Sequence, residues 1–225
     1  MKSLTAILIL IIFCSCKTIS TEVETSEDNH ITMKSSEKWT FFDPEEKLKL
    51  TVAPINGGQI VSLSWEGKKI ADRGIDSYPN KDFDIKKLKP RILYDDSDSD
   101  LILVYSTDRG NFQLLRSYKL LYNGKTKEHS IEVIYNVKNY SSDKPINQQW
   151  INSLSLLKLS NPTISNNSIS GTIDKASFKI SAIDVMDLEI TNSKGLVKIA
   201  NKKSFELGFF EKLNWKVIYS LKSLD

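Results

Sequence analysis

The stretch FQLLRSYKLLYNGKTKEHSIEVIYNV, residues 112–137, decides the fold class of this chain. Large side chains occupy alternate positions of its first half: Phe112, Leu114, Arg116, Tyr118, Leu120 and Tyr122. The same alternation returns in its second half, at Ile131, Val133, Tyr135 and Val137. A period of two is typical of β-strands that bury one face. Because Asn123 and Gly124 begin a turn between the two halves, the stretch predicts a β-hairpin.

Similar patterns extend over most of the chain on both sides of this hairpin. Leu48, Leu50 and Val52 alternate with polar residues ahead of a glycine-rich turn. Residues 101–105 are continuously apolar, which is expected of a strand covered on both faces. Further strands are predicted near residues 61–65, 150–159, 169–173, 178–183, 188–191, 196–200, 205–210 and 215–221. Many short strands separated by turns predict an all-β sandwich or barrel.

Composition excludes several classes of function. The 225 residues include 31 basic and 28 acidic side chains, a formal net charge of +3. This charge is too small to displace counterions from phosphates, so no nucleic-acid partner is expected. The two cysteines, Cys14 and Cys16, both lie near the start of the chain, which excludes a disulfide framework. The only histidines are His30 and His129, which excludes a multi-histidine metal centre.

Two further motifs fail as metal or cofactor sites. A calcium loop counted from Asp96 would need glycine and glutamate where Leu101 and Thr107 stand, so residues 95–100 are expected to form a solvated loop. A strand follows the Gly57-Gly58 pair, whereas a phosphate cradle would need a helix N-terminus there. The sequence therefore predicts no metal and no cofactor.

Residues 1–15 are predicted to be a lipoprotein signal peptide. A lysine precedes an apolar run that is too short to span a bilayer as a helix. The run ends at Ser15-Cys16, which resembles a bacterial lipoprotein signal, in which the cysteine is lipidated and becomes the mature N-terminus. Cys16 is the expected acceptor, because bulky Phe13 precedes Cys14. The alternative is an ordinary secretory signal without a lipid.

Residues 16–38 are predicted to be a flexible tether, and residues 39–225 the folded domain. The tether is rich in Ser, Thr, Glu and Asp, so it buries too little apolar surface to offset its ordering entropy. Several acyl chains on Cys16, at roughly 0.8 kcal/mol per buried CH₂, would hold the protein on a membrane. Lys17 after this cysteine resembles an outer-membrane sorting pattern. The expected location is therefore the bacterial cell envelope, at the outer membrane.

Two stretches together resemble the galactose mutarotase-like superfamily, which is related to aldose 1-epimerases. Residues 52–70 cross a glycine-rich turn and end in a Gly-Lys turn, similar to the opening hairpin of that fold. Residues 130–146 form a predicted strand that ends in Asn139, a polar turn and Pro145, similar to its mid-domain strand. The resemblance covers under a fifth of the chain. It implies an antiparallel β-supersandwich.

The sequence departs from the catalytic pattern of this superfamily. Its epimerases present a histidine general acid on the strand after that turn and a glutamate base near the C-terminus. Here the matching residues 145–153 read PINQQWINS, and an amide such as Gln149 does not deliver a proton near neutral pH. His129 lies about twenty residues upstream, before the predicted strand, and Glu206 and Glu211 match no base motif. Conventional epimerase activity is therefore not expected.

The resemblance also implies that a concave sheet receives carbohydrate. Sugar recognition needs an aromatic face for the C–H groups of the ring and polar groups for its hydroxyls. Gln148, Trp150 and Asn152 supply these types, and strand alternation places the three on one face. The alternative is that Trp150 is a core residue and the amides are polar groups at a strand end.

An acidic sugar would need a basic group as well. The long connection over residues 71–100 is a candidate binding loop, and its Arg73 or Arg91 is a candidate clamp, with surface solvation as the alternative role. The leading hypothesis is a membrane-anchored lipoprotein whose β-supersandwich binds carbohydrate without catalysis. The alternatives are an atypical epimerase or lyase-like enzyme, and an envelope module that docks another protein.

Overall fold

The computed structural model describes residues 23–25, 31–33, 38–77, 88–95, 100–106, 112–140, 145–157, 159–165, 167–183, 187–193 and 196–224. Within these residues the chain forms 17 β-strands and one short 3-10 helix, Pro54–Asn56. The strands are β1 (Val23–Thr25), β2 (Ile31–Met33), β3 (Trp39–Phe42), β4 (Leu48–Ala53), β5 (Gln59–Trp65), β6 (Lys68–Ser77), β7 (Arg91–Asp95), β8 (Asp100–Ser106), β9 (Phe112–Asn123), β10 (Glu128–Asn139), β11 (Ile146–Leu157), β12 (Ser160–Ser165), β13 (Ser168–Ile173), β14 (Ala176–Ile183), β15 (Asp187–Ser193), β16 (Leu196–Leu207) and β17 (Lys212–Ser223). The described chain contains no helix of the length and apolarity needed to cross a membrane.

Two large antiparallel sheets make up the sandwich, and β1 and β2 form a separate two-stranded sheet. The eight-stranded sheet, called sheet I, has the order β12-β13-β14-β17-β10-β9-β8-β7. The seven-stranded sheet, called sheet II, has the order β15-β16-β11-β6-β5-β4-β3. The prediction of an all-β antiparallel sandwich is therefore confirmed.

The hairpin predicted over residues 112–137 lies at the centre of sheet I. Strand β9 pairs with β10 without a register shift, from Phe112 opposite Asn139 to Asn123 opposite Glu128. The Asn123 side chain accepts hydrogen bonds from the backbone N–H groups of Lys125 and Thr126, at 3.0 and 3.3 Å. This local bonding explains why the sequence turns here.

One face of each described strand at the centre of sheet I packs into the core. Along β10 the inward side chains alternate with partly exposed ones, and the fully buried apolar members are Ile131, Val133, Tyr135 and Val137. Leu48, Leu50 and Leu63 of sheet II are equally buried in the same cluster. Burial of this apolar surface between the sheets is the main favourable contribution to folding.

The structure corrects two sequence predictions. The connection over residues 71–100 is not a single loop, because Arg73 lies in β6 and Arg91 begins β7. Residues 101–105 are not covered on both faces, since Ile102 and Val104 are only partly buried. The first arises because β6 pairs with β5 and β11 in sheet II, while β7 pairs with β8 in sheet I. The second arises because the outer face of sheet I is open to solvent.

The N-terminal predictions fall mostly outside the described residues. The signal peptide and Cys16 are outside them altogether. Within the predicted tether, β1 pairs with β2 from Val23 opposite Met33 to Thr25 opposite Ile31. The first strand of sheet II, β3, begins at Trp39, where the folded domain was predicted to start.

Candidate functional site

A groove of about 910 Å³ lies on the outer face of sheet I. It arises because the core-facing residues of β9, β10, β14 and β17 alternate with a second set that faces away from the core. The groove is lined by Leu121, Tyr122, Asn123, Gly124, Lys125, Glu128, Ser130, Glu132, Lys179, Ser181, Ile218 and Ser220. Most of these side chains are polar, so the groove presents hydroxyl, amide and charged groups.

The strand register brings complementary polar groups together in this groove. Ser130 on β10 lies opposite Ser220 on β17, which lies opposite Lys179 on β14. Beside this row, Lys216 Nζ donates a hydrogen bond to Glu132 Oε1 at 3.0 Å, and both side chains are partly buried. The ion pair fixes the Glu132 carboxylate within the groove wall. Hydroxyls, an ammonium group and a held carboxylate are the donors and acceptors that a polyhydroxylated ligand requires.

Tyr122 borders one end of the groove, but it lies opposite His129 in the strand register, so its ring is on the core-facing side of sheet I. This ring packs against the imidazole of His129, with centroids 4.5 Å apart and planes tilted by 32°. The packing fixes the orientation of the tyrosine, because His129 is itself buried. The apolar surface that the groove offers to the C–H groups of a sugar ring therefore comes from Leu121 and Ile218.

His129 is a structural residue of the interior. It is the second residue of β10, not a residue ahead of the strand, and it is in phase with the core-facing residues that follow it. Its Nδ1 atom pairs with Asp43 Oδ2, and the second oxygen of that carboxylate accepts a hydrogen bond from the Leu48 N–H at 2.8 Å. The pair therefore joins the β3–β4 turn of sheet II to sheet I.

A second buried polar cluster is centred on Arg116 of β9. Its guanidinium donates to the carbonyl of Gly57 at 2.8 Å and to the hydroxyl of Tyr135 at 3.0 Å. Two further hydroxyls bind the same glycine-rich segment: Tyr105 donates to the Pro54 carbonyl at 2.7 Å, and Tyr118 donates to the Gly58 carbonyl. The cluster holds the turn between β4 and β5 against sheet I. In the sequence this cluster could have been found from Arg116, which occupies a position where the alternation of β9 otherwise places apolar, core-facing residues.

The residues predicted to bind carbohydrate lie in both sheets. Strand β11 carries Gln148, Trp150 and Asn152, whose backbones pair with Phe205, Lys203 and Asn201 of β16. Their side chains lie outside the described part of the structure, so their predicted role stays a prediction.

The two candidate arginines are on different sheets. Arg73 lies in β6, the other neighbour of β11, and its side chain is also outside the described part. Arg91 is exposed at the start of β7, on the edge of sheet I. Strand pairing therefore brings the Arg73 segment beside β11 and puts Arg91 in the opposite sheet.

The glutamates near the C-terminus have unlike surroundings. Glu211 Oε2 accepts a hydrogen bond from the Gly208 N–H at 2.7 Å, which closes the turn between β16 and β17. Glu206 is exposed on β16. Among the residues that the structure describes, no group of three or more His, Cys, Asp or Glu is placed to hold a metal ion.

Comparison with known proteins identifies likenesses of structure. No family model and no curated protein matches this sequence. The Slr1438 protein from Synechocystis sp. PCC 6803 has a TM-score of 0.65 at 12% identity, over 85% of this chain and 98% of that one. A galactose mutarotase related enzyme from Lactobacillus acidophilus has a TM-score of 0.58 at 9% identity, over 83% and 98%. Heparan sulfate lyase HepC from Pedobacter heparinus has a TM-score of 0.57 at 13% identity, over 83% of this chain and 35% of the lyase.

Proposed function

We propose that this chain, which has the galactose mutarotase-like fold, is a non-catalytic carbohydrate-binding module held on a membrane by an N-terminal lipid. The groove on the outer face of sheet I carries the proposal. It combines the apolar surface of Leu121 and Ile218 with hydroxyl, amide and charged groups across four strands. A concave site that combines some apolar surface with several convergent polar groups is typical of small-molecule binding, and these polar groups match the hydroxyls of a sugar.

The surroundings of His129 favour binding without catalysis. Its ring is buried among Asp43, Trp65 and Tyr122, on the core side of β10. A general acid must lie within hydrogen-bond reach of the proton it transfers, and a histidine on the core side does not meet a ligand in the groove. In a polarimetric assay with aldose sugars, we therefore expect mutarotation at the uncatalysed rate. Acceleration that scales with protein concentration would contradict this expectation.

Binding is tested by isothermal titration against a panel of neutral and acidic oligosaccharides. We expect at least one member of the panel to release heat with the parent chain. The double variant Lys179→Ala and Ser220→Ala should weaken that binding about tenfold, because it removes two hydrogen-bonding groups from the groove. The matched control is Lys175→Ala, which changes an exposed lysine in the β13–β14 turn, outside the groove.

A third variant distinguishes the two faces that carry candidate residues. Trp150→Ala changes β11 of sheet II and leaves the groove on sheet I unaltered. If carbohydrate binds in the groove, this variant retains the parent affinity. If Trp150→Ala abolishes binding and the groove variant does not, the site is on β11. A folded chain that releases no heat with any sugar of the panel would refute carbohydrate binding.

The lipid anchor is tested separately by metabolic labelling with palmitate. The parent chain and Cys14→Ala are expected to incorporate label, because Cys16 is the proposed acceptor. Cys16→Ala is expected to lose the label and to leave the membrane fraction, since acyl chains contribute most of the membrane affinity. Unchanged labelling of Cys16→Ala would overturn the assignment.

A further inference from the structure

An exposed aromatic cluster lies at the end of the sandwich where β10 ends and β17 begins. It consists of Tyr140, Phe209 and Phe210, which are exposed by 39%, 49% and 68%. The two phenylalanine rings are 3.9 Å apart between centroids, and the Tyr140 ring meets Phe210 edge-on at 6.2 Å. We call these three residues the aromatic tip. Contiguous exposed apolar surface of this kind marks an interaction site.

The backbone holds one ring of the aromatic tip in an unfavourable conformation. Phe210 has a φ of 56°, in the left-handed region that disfavours bulky side chains. Six non-glycine residues of the described chain have positive φ, and the other five are polar: Glu46, Glu66, Lys127, Asn161 and Asp174. Local strain of this sort persists where the surrounding structure requires it, and it concentrates at functional positions.

The turn is nevertheless firmly attached to both sheets. Asn139, at the end of β10, donates from its side chain to the Leu207 carbonyl at 3.0 Å and from its backbone to the Glu211 carbonyl at 3.0 Å. The Glu211 carboxylate accepts from the Gly208 N–H. The rings of the aromatic tip are therefore presented by an ordered turn.

A pair of like charges lies directly beside the aromatic tip. Lys138 on β10 is the direct cross-strand partner of Lys212 on β17. Like charges placed opposite each other destabilise a sheet. An external anion bound near both ammonium groups would relieve this repulsion. The one acidic residue within the turn, Glu211, is committed to the Gly208 N–H. Apolar rings flanked by lysines suit a surface with an acyl interior and anionic headgroups.

The folded domain also begins at this end of the sandwich. Trp39 opens β3 opposite Val52, two residues before Pro54. The Pro54 carbonyl accepts a hydrogen bond from Tyr105 of β8. Tyr105 lies opposite Leu114 of β9, and Leu114 lies opposite Val137 of β10, so all three are at the same height in sheet I. Val137 is two residues from the end of β10, whereas the groove lies toward the other end of that strand. A tether that leads to Trp39 is therefore attached at the end of the sandwich that carries the aromatic tip.

We propose that the aromatic tip inserts into the interface of an anionic lipid bilayer and orients the groove away from the membrane. The orientation rests on the proposed lipid anchor, whereas insertion itself rests on Tyr140, Phe209, Phe210 and the two lysines. The tip would act as a further, reversible contact beside the acyl chains, because it combines apolar rings with basic side chains. The ligand groove would then face the aqueous phase.

The test places a fluorescent reporter at the tip of the full-length chain. Phe210→Trp puts an indole in the tip, and Ile164→Trp puts one on the exposed edge strand β12, at the level of the groove end of β10. Both variants are reconstituted into vesicles of phosphatidylglycerol and brominated phosphatidylcholine, with the parent as background. We expect the emission added by Phe210→Trp to shift to the blue and to lose about half of its intensity to bromine, because the ring lies among the acyl chains. The emission added by Ile164→Trp should be unchanged.

A charge variant and three further outcomes complete the test. Adding Lys138→Glu and Lys212→Glu to Phe210→Trp should restore the emission, since the anionic surface then repels the tip. An unquenched Phe210→Trp in a chain that floats with the vesicles would overturn tip insertion and leave the N-terminal anchor in place. Equal quenching of both reporters would show non-specific adsorption and would also overturn it. A blue shift of Phe210→Trp without vesicles, caused either by added glycan or by a dimer seen in sedimentation, would assign the tip to that partner instead.

Discussion

Replacing Arg116 with methionine is expected to lower the free energy of unfolding by about 3 kcal/mol, because buried acceptors lose their donor. The guanidinium is fully buried and donates to Gly57 and Tyr135. It also lies over the rings of Tyr118 and Tyr135, 5.2 and 4.9 Å from their centroids. Methionine fills similar space but offers no donor, so the Gly57 carbonyl stays buried without this bond.

The measurement is urea denaturation followed by tryptophan fluorescence. Trp215 reports directly on this region, because its ring stacks on Tyr135 at 4.9 Å. The matched control is Arg91→Met on the exposed edge of sheet I, which should change stability by no more than about 0.5 kcal/mol. Equal midpoints for Arg116→Met and Arg91→Met would show that the guanidinium does not stabilise the packing of the two sheets.

Gly58→Ala is expected to lower the free energy of unfolding by about 3 kcal/mol, through overpacking and backbone strain together. A Cβ atom at this position would lie 2.9 Å from Leu103 Cδ1 and 3.2 Å from the hydroxyl oxygens of Tyr105 and Tyr118. Those tyrosines hold the same turn, so they lose their own hydrogen bonds if they move aside. The φ of 71° adds left-handed strain.

Gly67→Ala separates the two contributions to this effect. Gly67 has a similar φ of 77°, but a Cβ atom there would meet nothing within 4 Å. Only the left-handed strain remains, at roughly 1 kcal/mol. Both variants are compared with the parent by thermal unfolding under the same conditions. A loss for Gly58→Ala no larger than that for Gly67→Ala would mean that the turn is not packed against sheet I as described.

Local pattern predicted the strands well where one face was clearly apolar. The β9–β10 hairpin follows from alternation and from Asn123, and both lie within one continuous stretch. The edge of sheet I was predicted less well, because β7 is only five residues long and its described side chains are exposed or only partly buried. Strand β12 was not predicted for the same reason, since all of its residues are exposed. Edge strands bury little, so hydrophobic pattern carries little information about them.

For the candidate site, the sequence pattern and the tertiary structure identified different residues. The pattern identified Trp150 and its neighbours as possible ligands, because their chemistry is visible one residue at a time. It did not identify the groove, whose Ser130, Lys179 and Ser220 are ordinary strand residues until three strands pair. Likewise, Arg116 and Gly57 meet 59 residues apart in the chain.

The sequence by itself determined that this chain is an antiparallel β-sandwich without the expected histidine acid on the strand after the mid-domain turn. That follows from alternation, turn residues and residue identity, all of which are local properties. Only the tertiary structure decided that His129 faces the core, that the groove forms on sheet I, and that Phe209 and Phe210 emerge beside a pair of lysines. These features depend on register and on contacts between distant strands, and such contacts are set by the packing of the whole domain.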